Sequence, residues 1–264
     1  MDIHFDCTCC GDCCRNIKIP LTAVEAVEWL HDGNEVQIIC EAASWADDAS
    51  AQDPAAAHFK RRSFAAMSGG LRARVVAFLV ANIAGNCPNL QPDMRCGIYE
   101  RRPLVCRIYP AEINPLLQLD PTKKACPTEA WAPQHPLLLR DGKVVNEELR
   151  QAILGWRAAE ARDIAVKRRV CELMNLRDAA VAHEGFLVYS PPGATLLRTL
   201  LAALHDVTTP EEHGLPDRQW RFVTDRPDTF DRLTRSGALA CHARDVLEAH
   251  RHRLYIGFKR PAAS

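Results

Sequence analysis

Residues 7–14 read Cys7-Thr8-Cys9-Cys10-Gly11-Asp12-Cys13-Cys14 and hold five of the twelve cysteines in this 264-residue chain. The segment contains two overlapping CxxC turns that share Cys10, and such a turn brings two sulfurs to one metal ion at about 2.3 Å. Side chains that are adjacent in sequence diverge, so we expect Cys13 and Cys14 to face different metal ions or different atoms of one cluster. The pattern therefore predicts a site that holds more than one metal atom.

The segment from residue 87 to residue 136 adds four more cysteines, at Cys87, Cys96, Cys106 and Cys126. It also holds nine prolines, which forbid any long regular element except a brief helix around residues 102–108. A loop of about fifty residues is rare inside a compact domain unless something besides core burial orders it. We expect a structural metal site to supply that order.

Composition and charge narrow the class of protein. The chain carries 33 Lys and Arg against 33 Asp and Glu, so it lacks the basic surplus of proteins that bind nucleic acid through phosphate contacts. Its longest apolar run, residues 75–81, is shorter than the ~20 residues that a membrane helix needs, and its first four residues have no signal-peptide character. We therefore expect a cytoplasmic protein with no nucleic-acid or membrane partner, whose thiols serve metal or redox chemistry rather than disulfides.

The remaining sequence predicts an α-rich α+β fold. Thr22 and Glu25 form a capping box at the start of a helix whose buried stripe is Val24, Val27 and Leu30. Residues 75–80 fit a buried strand and, nearly as well, a short helix. Helical spacing after residue 140 predicts helices at 147–173, 177–184, 193–205, 228–235 and 239–252. We expect a loop-rich, metal-ordered cysteine-cluster domain at residues 1–130 and a helical extension at residues 131–264.

Two motifs together carry a family resemblance. The run from Cys96-Gly97-Ile98-Tyr99 to Cys106-Arg107-Ile108-Tyr109-Pro110, with the N-terminal Phe5-x-Cys7-x-x-Cys10-Gly11-x-Cys13-Cys14, closely resembles the YkgJ-type (CxxCxxCC) cysteine-cluster family. That family is a zinc- or iron-chelating domain that also occurs in flagellin lysine N-methylases. The resemblance spans roughly residues 3–127 and implies an eight-cysteine metal site. Its cysteines are Cys7, Cys10, Cys13, Cys14, Cys87, Cys96, Cys106 and Cys126. Cys9 is an extra cysteine, and the sequence leaves open whether it replaces Cys10 or stays free.

Eight thiolates can serve two four-thiolate sites, or one cluster and one metal ion. Zinc favours CxxC pairs from two chain segments, and this chain can be divided that way. The adjacent Cys13 and Cys14, with Cys-Pro steps at Cys87 and Cys126, favour an iron–sulfur cluster, which we take as the first choice over zinc. Five arginines near these cysteines are candidates to offset the thiolate charge: Arg15, Arg95, Arg101, Arg102 and Arg107.

Two functions are compatible with this site. The first is a metal-binding protein with a redox, metal-handling or structural role, whose helical half could bind a protein partner. The alternative is an enzyme that resembles the flagellin lysine methylases and transfers a methyl group from S-adenosylmethionine to lysine. Cys9 and Cys13 have the first part of the C-x3-C-x2-C spacing of radical S-adenosylmethionine enzymes, but residue 16 is asparagine where the third cysteine would stand. That spacing is therefore absent. No catalytic residue is assigned. We interpret Cys40, Cys171 and Cys241 as small buried hydrophobic residues, and His242, His250 and His252 as surface histidines.

Overall fold

A computed structural model of the protein describes residues 2–45, 53–207, 219–249 and 252–259. The protein is a mixed α/β structure with 38% helix, 27% strand and two sheets. The expected α-rich fold with a loop-rich domain at residues 1–130 is therefore only partly right. Residues 18–82 contribute long strands to the larger sheet, and two segments of the second half that were predicted as helix contain strands.

The helices are α1 (Ala23–His31), α2 (Pro54–Arg61), α3 (Leu104–Ile108), α4 (Glu147–Leu173), α5 (Gly193–Asp206), α6 (Pro227–Arg235) and α7 (Ala243–Ala249). The strands are β1 (Ile3–His4), β2 (Lys18–Leu21), β3 (Val36–Ser44), β4 (Phe64–Ser68), β5 (Leu71–Asn82), β6 (Leu137–Arg140), β7 (Lys143–Val144), β8 (Asp178–Val181), β9 (Gly185–Tyr189), β10 (Arg221–Thr224), β11 (Ala240–His242) and β12 (Arg253–Gly257). In the part of the chain that the structure describes, no helix is long and apolar enough to cross a membrane.

The larger sheet is built around β3. This strand pairs antiparallel with β5 along its whole length, from Val36 opposite Ala81 to Ser44 opposite Ala73. Its other edge is shared by two strands, since β9 pairs antiparallel with its first half and β8 parallel with its second half. The main strand order is β11-β10-β8-β3-β5-β2, with β4 added to β5 and β12 added to β9. Residues 75–80 thus form a central strand, which β-branched side chains buried on both faces favour.

One helical prediction in the second half is wrong and another is only partly right. The segment predicted as a helix at 177–184 contains β8, whereas the segment at 239–252 contains β11 followed by the helix α7. Runs of three or four residues are too short for periodicity to separate strand from helix, and here β8, β10 and β11 pair in parallel. Residues 250–251 lie outside the described residues. Helices predicted at 147–173, 193–205 and 228–235 are confirmed as α4, α5 and α6.

The helix α1 begins at the predicted capping box. Thr22 Oγ1 accepts a hydrogen bond from the Glu25 N–H, and Glu25 Oε2 accepts one from the Thr22 N–H at 2.8 Å. Leu30 is buried as predicted, but the rest of the buried face differs, because Ala23, Ala26 and Trp29 are buried whereas Val24 is 49% exposed. The buried face is therefore shifted by one residue, from Val24 to Ala23, and it packs toward the larger sheet.

The cysteine segments lie between two hydrophobic cores. The main core is formed by the larger sheet with α1, α5 and the C-terminal part of α4. The second core joins the small antiparallel sheet β1-β6-β7 to α3 and the N-terminal part of α4. Strands from both sides of residue 130 share the larger sheet, and the division into domains at 1–130 and 131–264 stays a prediction.

Candidate metal centre

The N-terminal cysteine segment is a tight turn that needs a glycine. Gly11 has φ +75°, in the left-handed region, and precedes a short 3-10 turn at Asp12–Cys14. A Cβ at this position would lie 2.5 Å from the Met94 side chain, so the turn packs directly against the second cysteine segment. The Cys14 N–H donates to the Gly11 carbonyl at 2.9 Å, which closes the turn and sets Cys13 and Cys14 side by side.

Backbone hydrogen bonds attach the second cysteine segment to the first. The Cys87 N–H donates to the Cys14 carbonyl at 2.7 Å, and Asn16 forms two hydrogen bonds with Gly85. Further along, an isolated bridge pairs Leu90 with Cys96 and folds that cysteine back toward Cys87. Main-chain contacts therefore hold Cys14, Cys87 and Cys96 in one region.

The segment that carries Cys106 is anchored by Glu25, which no sequence motif connects to the site. Glu25 Oε1 accepts a hydrogen bond at 2.7 Å from the Leu104 N–H, the first residue of α3. The same carboxylate caps α1 through its other oxygen. One side chain thus joins the starts of two helices, and α3 carries Cys106.

Tyr109 connects the last cysteine to the same region. Its hydroxyl accepts a hydrogen bond from the Ala125 N–H at 2.9 Å and lies 3.7 Å from the Cys126 sulfur. Burial, followed by this contact with Cys126, raises the pKa of the Tyr109 phenol. The phenol is therefore a neutral hydrogen-bonding group that helps to position Cys126.

The cysteines line two adjoining cavities. The first, of about 580 Å³, is lined by Cys7, Cys9, Cys13, Cys14, Cys87, Cys96 and Cys106. The second, of about 510 Å³, is lined by Cys7, Cys10, Cys13, Cys106 and Cys126. The structure thus brings all eight family-pattern cysteines, with Cys9, to one region between the two cores. Within the described ranges, no three Cys, His, Asp or Glu side chains already converge as the shell of a single ion.

Arg102 is the cation that lines both cavities. Its guanidinium stacks on the Tyr99 ring at 3.7 Å from the ring centre. Its charge opposes the burial that raises the pKa of Cys106 to about 12 and also opposes the rise at Cys7. Among the five arginines that the sequence singled out, Arg102 therefore has the clearest electrostatic contact with the thiols.

None of the other four arginines lines both cavities. Arg107 lines the second cavity, where it pairs with Glu148 at 3.6 Å, and Arg15 pairs with Asp12 at 3.6 Å. Arg95 lines the first cavity, and Arg101 is exposed at the end of a 3-10 turn. Positions near a cysteine in sequence are therefore not equivalent in their access to the sulfurs.

The Cys13 and Cys14 side chains are in direct contact. Their sulfurs lie 3.9 Å apart and share a hydrogen bond. That bond lowers the pKa of Cys14 to about 6, with help from Arg102, and raises the pKa of Cys13. A proton held between two thiols in this way is displaced when both sulfurs bind metal, since metal ligation requires thiolates.

For the cysteines and histidines outside the family pattern, the structure confirms some of the interpretations and corrects others. Cys40 and Cys171 are buried in the main core, which confirms their interpretation as small hydrophobic residues. Cys241 is only partly buried, and its sulfur lies 3.8 Å from the Phe222 carbonyl. His242 is not a free surface histidine, because its ring stacks on Phe230 at 4.2 Å between centres. His252 is exposed as expected, and His250 lies outside the described residues.

Comparison with known proteins identifies the cysteine region. Residues 6–127 match the model of the CxxCxxCC family, whose description is "Putative zinc- or iron-chelating domain". A search of curated proteins and a search of solved structures each found no match. The matched range contains the eight family-pattern cysteines and Cys9. The match covers somewhat less than half of the 264-residue chain and leaves the residues after 127 without a family model.

Proposed function

We propose that this protein holds an iron–sulfur centre through eight thiolates, with zinc as the alternative metal. The ligands are Cys7, Cys10, Cys13, Cys14, Cys87, Cys96, Cys106 and Cys126. The observation that supports the proposal best is the arrangement of these eight side chains around two adjoining cavities, with Arg102 on the wall of both. Thiolates are soft ligands that suit zinc and iron–sulfur clusters, and an arginine beside them offsets part of their charge.

The size of the two cavities supports a cluster over a single ion. Four thiolates around one zinc ion lie about 3.8 Å from one another, because each zinc–sulfur bond is about 2.3 Å long. In the described part of the chain no three donors converge in that way, and the cavities that the cysteines line are wide. An iron–sulfur cluster places several iron atoms between its thiolates and fills such a space better.

The first role of this centre is structural. It would connect the N-terminal turn at residues 7–14 to the cysteines between residues 83 and 136. That second stretch contains only α3, short 3-10 turns and isolated bridges. Metal binding in such a region contributes directly to its folding free energy. A redox or metal-handling role would use the exposed Cys7 at the surface of both cavities. The cytoplasmic location of the protein stays a prediction.

Purification without oxygen, followed by iron, sulfide and zinc counts and a visible absorption spectrum, tests the proposal. We expect iron with acid-labile sulfide and broad visible absorption. A colourless protein that holds zinc alone would replace the iron–sulfur assignment by the zinc alternative. A protein that binds neither metal after supply of both would overturn metal binding itself.

Single substitutions test the ligand set. Cys10→Ser, Cys14→Ser, Cys96→Ser and Cys106→Ser should each lower the metal content, because a hard serine oxygen is a poor substitute for a thiolate. The matched control is Cys171→Ser, which also replaces a thiol but lies in the main core. It should keep its metal and lose about 1–3 kcal/mol of stability from a buried hydroxyl. Metal loss in the control, or none in the four variants, would contradict the assignment.

One observation favours the alternative of a lysine N-methylase that uses S-adenosylmethionine. The first cavity extends past the thiols to an apolar wall formed by Ile17, Ile19 and Trp29, where a bound molecule could lie beside the centre. Equilibrium dialysis of the metal-loaded protein with labelled S-adenosylmethionine tests it. Saturable binding that Trp29→Ala weakens would support the enzyme, and no binding would exclude it.

A further inference from the structure

The two cavities sort most of the eight cysteines. Cys14, Cys87 and Cys96 line the first cavity, and Cys10 and Cys126 line the second. The other three line both cavities, so further contacts must assign them: Cys7, Cys13 and Cys106.

Packing assigns Cys106 to the first cavity. Cys87 is part of the main hydrophobic core, and Cys14 and Cys106 pack against that same core. Cys96 lines only the first cavity, which completes a group of four.

The remaining two shared cysteines belong with the second cavity. Four thiols remain once the first group is assigned, and all four line the second cavity. The Asp6 N–H donates a hydrogen bond to the Ala130 carbonyl at 3.0 Å, which brings the start of the chain next to the segment that carries Cys126. The second group is therefore Cys7, Cys10, Cys13 and Cys126. The contact of 3.9 Å between the Cys13 and Cys14 sulfurs is where the two groups meet.

We propose that the eight thiols form two separate four-thiol metal centres of unequal accessibility. The inner centre is formed by Cys14, Cys87, Cys96 and Cys106, and the outer centre by Cys7, Cys10, Cys13 and Cys126. This inference rests on the proposed function, because it divides the ligands that the function requires. The inner centre holds the second and third chain segments on the main core, and the outer centre exchanges its metal with solvent.

Burial explains the difference in exchange. Cys87 is 9% exposed and belongs to the main core, so chelators and solvent have little access to a metal that it binds. Cys7 is exposed, and Cys126 is fixed by the Tyr109 hydroxyl on the side of the second core. Because an apolar shell controls solvent access to a metal, we expect the outer centre to release its metal at least about tenfold faster.

Native mass spectrometry of the full chain, reconstituted without oxygen with Zn²⁺ alone, tests the division. We expect two zinc ions per chain, which a chelator removes in two steps of different rate. This measurement needs no variant, so it holds even where a substitution impairs folding. A single zinc ion, or release of all zinc in one step, would overturn the division and leave metal binding intact. No zinc or iron binding at all would overturn the proposed function instead.

Matched variants identify which thiols belong to which step. Cys126→Ser should remove the fast step and keep the slow one, whereas Cys96→Ser should remove the slow step. Cys241→Ser, a partly buried cysteine outside both cavities, should keep both. Loss of both zinc ions in Cys126→Ser, with the circular dichroism of the wild-type chain retained, would show one shared centre.

Discussion

The β3–β5 pair and the cysteine segment at residues 83–136 are held in place in different ways. The strand pair has nine residue pairs in register, and Ile38, Val75 and Leu79 within it are at most 1% exposed. The cysteine segment has only α3 as a helix, and its remaining order comes from 3-10 turns, isolated bridges and contacts with the two cores. Apolar burial and backbone hydrogen bonds stabilise the first region, whereas thiols line the cavities at the second. The comparison implies that the two regions respond to different perturbations.

Removal of the metal should produce the largest difference between them. A chelator should raise amide hydrogen exchange across residues 87–127, because metal binding supplies part of the folding free energy of that segment. The strands β3 and β5 and the helix α4 should keep their protection. Hydrogen exchange read by mass spectrometry, with and without metal, checks both halves of this expectation. Equal protection across residues 87–127 in the two states would contradict it.

A cavity in the strand pair should have the converse effect. Leu79 is 1% exposed and lies opposite Leu21 on one side and Ile38 on the other. Leu79→Ala should lower the free energy of unfolding by about 2–5 kcal/mol. The metal content of the folded protein should not change, because none of these residues lines either cavity.

A surface leucine provides the control for this cavity. Leu254 on β12 is 53% exposed, and Leu254→Ala should change the free energy of unfolding by no more than about 0.5 kcal/mol. Denaturant unfolding and metal analysis of both variants make the comparison. If Leu79→Ala released the metal from a folded chain, the two regions would not be energetically separate.

The same contrast explains what could be predicted from the sequence. The helix α4 is predicted at its observed bounds because its amphipathic period is long. The helix begins at a side-chain cap, in which Asn146 Oδ1 accepts a hydrogen bond from the Leu149 N–H. The strands β8 and β11 were missed because segments of four and three residues carry no usable period. Their strand character comes from pairing with distant segments, which only the folded chain shows.

The same distinction holds for the candidate site, where local motifs predict the cysteines but not the contacts that position them. The CxxC spacing and the family motifs pointed to the eight cysteines, and the structure brings them to one pair of cavities. The motifs carried no sign of Glu25, because its contact with the Leu104 N–H spans 79 positions of sequence. Contacts of this kind depend on how α1 and α3 pack, which no local pattern encodes.

Glu25 joins the helix α1, which packs in the main core, to the cysteine segment. Its substitution should have an effect of intermediate size. Its carboxylate accepts from the Thr22 N–H and the Leu104 N–H, one with each oxygen. Glu25→Gln leaves one acceptor oxygen, so one of these N–H groups loses its partner at a cost of about 1–3 kcal/mol. Because α3 carries Cys106, we also expect faster metal release. Denaturant unfolding and chelator kinetics measure the two effects.

Glu28 on the same helix is the control for Glu25. It is exposed, so Glu28→Gln should change stability by no more than about 0.5 kcal/mol and leave metal release unchanged. Faster metal release in both variants would show a general effect of charge on α1. Faster release in Glu25→Gln alone would assign the effect to the contact with α3.

The smallest effect is expected at Cys9, and it tests the register of the N-terminal turn. Cys9 is exposed with φ +54° and lines the first cavity beside Cys7, but it is not part of the family pattern. Cys9→Ser should therefore keep full metal occupancy and change stability by no more than about 0.5 kcal/mol. Cys10→Ser, one residue away, should lower the metal content, because it removes the thiol that both CxxC turns share. Metal analysis of the two variants, purified side by side without oxygen, makes the test. If Cys9→Ser lost the metal while Cys10→Ser kept it, the ligand at this turn would be Cys9, and the outer centre would have to be redrawn around it.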